Sequence, residues 1–136
     1  MIIQLEMIPV LLNRLYIPII RNGKPSIIKS KDAKEFVKYV QMECLRQKIK
    51  LLNGPVSVKI DILRQRGKND IDCDSVLKLL LDSLENICYT NDSQICEIII
   101  RKHLFQESDG INILCERIED KVLKEYYDKK IRPRAG

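Results

Sequence analysis

Long apolar runs and paired-cysteine motifs are both absent from this chain of 136 residues. No stretch approaches the roughly eighteen uninterrupted apolar residues that a membrane-spanning helix needs, so no membrane partner is expected. The opening residues are apolar but include Glu6 and lack a basic start, which argues against a secretory signal peptide. The five cysteines are odd in number and never spaced as C-x-x-C, which argues against a disulfide framework or a zinc knuckle. We therefore expect reduced thiols and a cytoplasmic protein.

Internal repeats, linkers and low-complexity segments are also missing, and the length suits one domain spanning residues 1–136. The chain is 45% hydrophobic and 32% charged, a balance that is typical of a globular protein. The net charge is +5, with basic residues concentrated in residues 14–50 and in a tail at about residues 128–136. This distribution is compatible with a polyanionic partner, although a solvated basic surface also explains each cluster.

The apolar pattern predicts a mixture of strands and helices, and therefore an α/β or α+β fold with helices packed on a mixed sheet. An Asn-Gly turn joins the strands of a first hairpin, and Ser30 can cap the first helix. The segment 64–69 is expected to be a polar basic loop. The predicted elements are strand 1–9, hairpin 14–29, a helix from Ser30 to about residue 50, strand 56–63, a helix from Asp74 or Ser75 to about residue 87, hairpin 94–118 and helix 119–130.

The second helix follows a strong helical period. Its predicted inward positions are Val76, Leu77, Leu80, Leu81, Leu84 and Ile87.

The segment 69–94 carries most of the chemistry, because four aspartates flank that helix at positions 70, 72, 74 and 92. Asp72 and Asp74 share a side if the chain is extended there. If Asp74 caps the helix, Lys78 lies one turn later and its side chain leans back toward the helix start. Clustered carboxylates with a nearby lysine could hold a divalent cation and stabilise a phosphoryl transition state. Ordinary helix capping and a surface lysine explain the same spacing.

The run D-I-D-C-D-S-V-L-K-L-L-L-D-S-L, followed by N-I-C-Y-T-N-D-S-Q-I, resembles the signature of the RusA-type Holliday junction resolvases. That family typically reads D-x-D-N-x-x-K-x-x-x-D-x-L and then D-D-x-Q. The resemblance spans most of residues 8–118 and includes Asn13-Arg14, which is similar to the family's P-x-x-x-N-R stretch. Two positions depart from the pattern: Ser75 stands where the family has Asn, and Asn91 stands where it has Asp.

The resemblance implies a homodimeric endonuclease that uses Mg²⁺, or Mn²⁺ in its place, to cut branched DNA such as four-way junctions. It implies Asp72, Asp74 and Asp92 as metal ligands and Lys78 as an essential basic residue, all four being catalytic. Asp70 is then an extra upstream carboxylate without an assigned role. The candidate DNA-binding residues are Asn13, Arg14, Lys29, Lys31, Arg64, Arg66 and Lys68.

Weaker candidates lie elsewhere in the chain. Tyr16 and Tyr89 could stack on exposed bases, although a packed tyrosine is the commoner role. His103, the one histidine, is expected to be structural rather than a general base. Two other functions remain open at this point: a catalytically inactive relative that still binds junctions, and a metal-binding interaction module without a DNA role. Salt-sensitive DNA binding would separate that module from both alternatives that bind DNA.

Overall fold

The computed structural model describes residues 2–8 and 16–131. Within these ranges the strands and helices alternate irregularly, which confirms the predicted α+β class. The elements are β1 (Ile2–Leu5), β2 (Tyr16–Arg21), β3 (Lys24–Lys29), α1 (Lys31–Arg46), β4 (Val56–Gln65), α2 (Cys73–Leu84), β5 (Ile95–Gln106), β6 (Gly110–Arg117) and α3 (Lys121–Ile131), with one 3-10 turn at Asp92–Gln94. The ends of the predicted first strand, Met1 and Pro9, lie outside the described residues.

Four strands form the main sheet in the order β1-β6-β4-β5. β4 is parallel to β5 and antiparallel to β6, and β1 is antiparallel to β6. The predicted hairpin over residues 94–118 is therefore wrong, because β4 lies between β5 and β6. Residues 107–109 instead cross the carboxyl end of β4, where the backbone N–H of Gln65 donates to Asp109 Oδ1 at 2.8 Å. A local sequence pattern identifies two strands and a turn, but it does not reveal a third strand inserted between them.

The core lies on one face of this sheet. Alternate residues of β4 from Val56 to Ile62 are buried there, as a half-buried strand requires. Helices α1 and α2 contact each other and bury apolar residues in the same core. In α2 the fully buried apolar side chains are Val76, Leu79, Leu80 and Leu84. The predicted inward positions Leu77, Leu81 and Ile87 are only partly buried, and Leu79 takes an inward place that was not predicted.

Helix α1 begins as predicted, since the Ser30 hydroxyl accepts a hydrogen bond from the Ala33 N–H at 3.1 Å. It ends a turn earlier than the predicted residue 50. Lys48 adopts a left-handed conformation with φ 57°, and the backbone N–H of Ile49 donates to the Cys44 carbonyl at 3.0 Å. This Schellman arrangement stops the helix without the glycine that usually marks such an end.

Strands β2 and β3 form a separate two-stranded sheet, which confirms the predicted hairpin. Asn22 and Gly23 have φ of 53° and 74°, as a type I′ turn requires. All five cysteines lie in the described part of the chain, and none is paired in a disulfide. Among the described helices, none is long and apolar enough to cross a membrane.

Candidate active site

The carboxyl end of β4 leads directly into the acidic segment. β4 extends to Gln65, so Arg64 lies in a strand and is buried rather than forming part of an exposed basic loop as predicted. Its Nε donates to the carbonyl of Asn69 at 2.6 Å, and its Nη1 donates to Asp109 Oδ2 at 3.1 Å. Arg64 thereby ties the start of the acidic segment to the connection between β5 and β6. Burial of a guanidinium is tolerated here because it has both a carboxylate and a carbonyl partner.

Lys102 of β5 anchors the next two residues of the acidic segment. Its Nζ lies 2.8 Å from Asp70 Oδ1 and donates to the Ile71 carbonyl at 3.0 Å. The ammonium group lowers the pKa of Asp70, and the carboxylate in turn raises the pKa of Lys102. Asp70 is exposed and Lys102 is half-buried, so solvent still screens this pair, which positions the chain more than it stabilises the fold. Lys102 was not predicted as a site residue. The one feature of the sequence that could have indicated it is the position of a lysine inside a predicted apolar strand.

Asp72 and Asp74 lie at the start of α2, where the exposed N–H groups and the helix dipole favour negative charge. Asp72 is the N-cap residue, but its side chain makes no capping hydrogen bond. Asp74 lies in the first turn, so the chain is not extended over both residues, which was the condition for them to share one side. Both side chains are exposed. Lys78 is also exposed, one turn further along α2.

Asp92 opens the 3-10 turn that precedes β5, and neighbouring amides position it. The Asn91 side chain accepts a hydrogen bond from the Ser93 N–H at 2.8 Å, as an N-cap aspartate would. The Gln94 side chain is buried, accepts from the N–H groups of Thr90 and Asn91, and donates to the carbonyls of Leu52 and Gly54. Because Asn and Asp serve equally as N-caps, the Asn91 departure preserves the capping of this turn.

The described structure does not bring the three predicted metal ligands together. The residue before Asp72, Ile71, bonds to Lys102, which pairs with Ile62 toward the carboxyl end of β4. Asp92 instead lies in the turn whose Gln94 side chain bonds to the Gly54 carbonyl, at the amino end of β4. The two positions are separated by the length of β4 from Val56, which pairs with Ile95, to Ile62, or about 20 Å along the strand. Within residues 2–8 and 16–131, no group of three His, Cys, Asp or Glu side chains is placed to hold a metal ion.

Most of the predicted basic residues that the structure describes lie at the carboxyl end of β4. Arg66 and Lys68 are exposed in the turn after β4, and Lys68 Nζ lies 3.4 Å from Asp109. The Tyr39 hydroxyl of α1 accepts from the N–H of Glu6, just after β1, and Gln47, which caps the end of α1, bonds to Gln4 of β1. Helix α1 therefore runs so that its start lies at the carboxyl end of β4. Lys29 and Lys31 flank that helix start, with Lys31 the more exposed. Asn13 and Arg14 lie outside the described residues.

The weaker candidates are structural where they can be described. The Tyr89 hydroxyl donates to the Leu81 carbonyl at 2.6 Å, and burial raises the pKa of this fully buried residue, which leaves no ring face for a base. His103 Nε2 lies 2.7 Å from Asp61 Oδ1. Cys73, between the two aspartates, is the first residue of α2. The side chain of Tyr16 lies outside the described residues.

Comparison with known proteins places this arrangement in a family. A search of curated proteins finds no significant match. The family model described as Endodeoxyribonuclease RusA matches residues 17–116, which include the acidic segment, Lys78, Asp92 and Lys102. Members of this family are endodeoxyribonucleases, hydrolases that cut the phosphodiester bonds of branched DNA, including Holliday junctions, in recombination and repair. The match covers well over half of the chain, and this protein belongs to the RusA endodeoxyribonuclease family.

Proposed function

We propose that this protein resolves four-way DNA junctions as a Mg²⁺-dependent homodimer that makes two symmetric cuts. The observation that carries the proposal is the exposed pair Asp72 and Asp74, held at the start of α2 by the Arg64 and Lys102 anchors. Positively charged residues surround this end of the sheet, so a DNA backbone is attracted to the carboxylates that must act on it.

Asp72 and Asp74 offer a chemically suitable site for a hard divalent cation. Mg²⁺ commonly uses one or two carboxylates and completes its coordination with water and phosphate oxygens, and Mn²⁺ accepts the same ligands. When bound, the cation supplies Lewis-acid polarisation of the scissile phosphoryl group and a metal-bound water of lowered pKa. Lys78, one turn along α2, contributes a positive charge where negative charge develops in the transition state.

The exposed cations Lys31, Arg66 and Lys68 position the DNA backbone at this end, and Lys29 extends the same surface. Asn13 and Arg14 stay proposed DNA-binding residues on the family resemblance alone. Arg64 contributes indirectly, because its buried side chain holds the segment that precedes Asp72. Phosphate contacts of this kind weaken steeply with salt, since each one releases a counterion. Binding should therefore fall with ionic strength for every DNA shape, while cleavage stays selective for branched DNA.

Asp92 joins the site only if a second protomer supplies it. Asp72 and Asp92 lie at opposite ends of α2, so a two-fold axis that sets two α2 helices antiparallel brings each Asp72 toward the partner's Asp92. Isologous pairing of this kind is the commonest form of self-association. Each of the two sites then contains residues of both protomers, and two cuts in symmetric strands follow from the symmetry of the dimer.

Cleavage of a supercoil-extruded junction tests both the site and its composition. The homodimers of Asp72→Asn, Asp74→Asn and Asp92→Asn should each fail to cut in Mg²⁺ while still binding the junction, because loss of a ligand charge lowers metal affinity. A purified heterodimer of Asp72→Asn with Asp92→Asn should nick one strand, since one of its two composite sites keeps all three aspartates.

The matched control is the heterodimer of Asp72→Asn with Asp74→Asn, in which neither site is complete under any arrangement and no nicking is expected. If the Asp72→Asn with Asp92→Asn heterodimer is as inactive as this control, Asp92 acts within its own protomer and the composite site is refuted. Wild-type cleavage by two of the three homodimers would remove the metal-ligand assignment. Linear duplex that is cut as fast as the junction would remove the structure selectivity.

A further inference from the structure

Strand β5 contains one extra residue near its end. Leu63 lies opposite His103, but Gln65 lies opposite Gln106, so β5 places two residues, Leu104 and Phe105, against the single residue Arg64. Such a bulge turns a side chain away from the regular alternation of the strand, and bulges are common beside active sites. The residue opposite the bulge, Arg64, is itself held in place by side-chain bonds to Asn69 and Asp109.

Phe105, within the bulge, has both an unfavourable backbone conformation and an unusually exposed side chain. Its φ is 58°, a left-handed conformation that bulky residues rarely adopt and that glycine or asparagine takes with less strain. Its side chain is also 70% exposed, although a large aromatic ring is normally buried. Neighbouring bonds maintain the conformation: Arg66 N–H donates to the Gln106 carbonyl, and Gln106 Nε2 donates to the Leu104 carbonyl.

A cavity of about 440 Å³ opens beside this ring, within the range of about 300–1,000 Å³ that is usual for ligand pockets. It is lined by Gln65, Arg66, Phe105, Gln106 and Glu107. An exposed phenyl ring and an exposed guanidinium are both surfaces on which a nucleobase stacks. The two amides and the Glu107 carboxylate offer hydrogen-bond partners for the edge of a base, so the lining suits an unstacked base better than a phosphate.

The cavity lies next to the candidate active site. Lys102, which bonds to Asp70 and Ile71, is three residues before Phe105 on the same strand, a distance of about 10 Å. We propose that Phe105 and Arg66 form a stacking site for one nucleobase that is unstacked at the branch point of the junction. This rests on the proposed function, and it adds the means by which the enzyme distinguishes a branch from a continuous duplex.

Four-way junctions with 2-aminopurine at the branch point test this site, with single-turnover cleavage and junction affinity measured in parallel. Wild-type protein should change the 2-aminopurine fluorescence on binding, and Phe105→Ala should lose that change. Because stacking of one base contributes about 1–3 kcal/mol, Phe105→Ala should reduce junction cleavage roughly 5- to 150-fold. Phe105→Trp should retain both signals, whereas Phe105→Leu, which is apolar but cannot stack, should behave as Phe105→Ala.

Phe105→Asn removes the ring while suiting the left-handed backbone, so it tests the stacking site in a variant that should fold at least as well as wild type. The control is Tyr126→Ala, which removes an exposed aromatic residue of α3 and should leave junction cleavage unchanged. If wild type cuts junctions and Phe105→Asn and Phe105→Ala cut equally fast, the stacking site is refuted while the proposed function stands. If wild type neither binds nor cuts junctions, the proposed function itself has failed.

Discussion

Asp72 at the start of α2 and Asp92 in the turn beyond its end are both exposed, but different interactions hold the backbone around each of them. Before Asp72, the chain is positioned by cations: Arg64 bonds to Asn69, and Lys102 bonds to Asp70 and Ile71. Before and around Asp92, the chain is positioned by one neutral amide, Gln94, which is buried and bonds to four backbone groups.

This difference has physical consequences. Ion pairs with exposed partners weaken with salt and with protonation of the carboxylate. The hydrogen bonds of a buried, neutral amide depend on neither. The amide, however, leaves buried backbone groups without partners when it is removed, which is costly. The turn that contains Asp92 should therefore be the more rigidly specified, and the start of α2, which carries Asp72 and Asp74, should respond more to pH, salt and ligands.

The largest effect on stability is expected for Gln94→Ala. Its loss leaves the carbonyls of Leu52 and Gly54 and the N–H groups of Thr90 and Asn91 without this partner, and the free energy of unfolding should fall by about 3 kcal/mol. Denaturant unfolding measures this change. The control is Gln47→Ala, which removes a similar amide bridge to the backbone of Gln4 at a solvated position and should cost under about 1 kcal/mol. Equal losses for the two variants would contradict the contrast between the ends of α2.

A smaller loss is expected for Arg64→Met, which removes the buried cation but keeps its apolar stem. Asp109 retains the Gln65 N–H and the nearby Lys68, so the free energy of unfolding should fall by about 2 kcal/mol, below the usual cost of a fully buried broken pair. Arg66→Met, one position along and exposed, should change it by under about 0.5 kcal/mol. Amide exchange across residues 66–72 should accelerate in Arg64→Met alone; unchanged exchange there would show that Arg64 does not hold the acidic segment.

The smallest effect on the free energy of unfolding is expected when the pair of Asp70 and Lys102 is broken, and this effect should depend on pH. Because Lys102 lowers the pKa of Asp70 in the folded protein, the pair favours folding above the ordinary aspartate pKa of about 3.9, and this contribution disappears as pH falls through the lowered value. The raised pKa of Lys102 likewise favours folding below the ordinary lysine pKa of about 10.4, and that contribution disappears at higher pH. Asp70→Asn should therefore unfold more easily than wild type at pH 6, and the difference should shrink toward pH 2. A constant difference over this range would assign the effect to something other than charge.

Several elements of the fold could be predicted because their causes are local. The Ser30 cap, the Asn22–Gly23 turn and the start of α2 within one or two residues all follow from preferences that act over a few residues. The family resemblance likewise depends on spacing along one segment, from Asp72 to Gln94, and the family model confirms it. The roles assigned to those residues stay predictions.

Other features could not be predicted, because their causes lie far apart in the chain. The insertion of β4 between β5 and β6 depends on pairing over tens of residues, so the predicted hairpin failed. The sequence pattern assigns Arg64 to a basic loop. Its burial is explained by the extension of β4 to Gln65 and by its ion pair with Asp109. Phe105 reads as a strand residue, and its bulge appears only when β5 is aligned with β4.

The sequence by itself determined the family, because the carboxylates, the lysine and their spacing that carry the resemblance are properties of a short segment. It also determined the class of fold, because hydrophobic period and turn chemistry act locally. Only the tertiary structure decided where those residues lie: it placed Asp72 and Asp92 at opposite ends of α2 and brought Lys102 to Asp70. The physical reason is that sheet pairing and helix packing are settled by burial of the whole core, which joins segments that no local pattern connects.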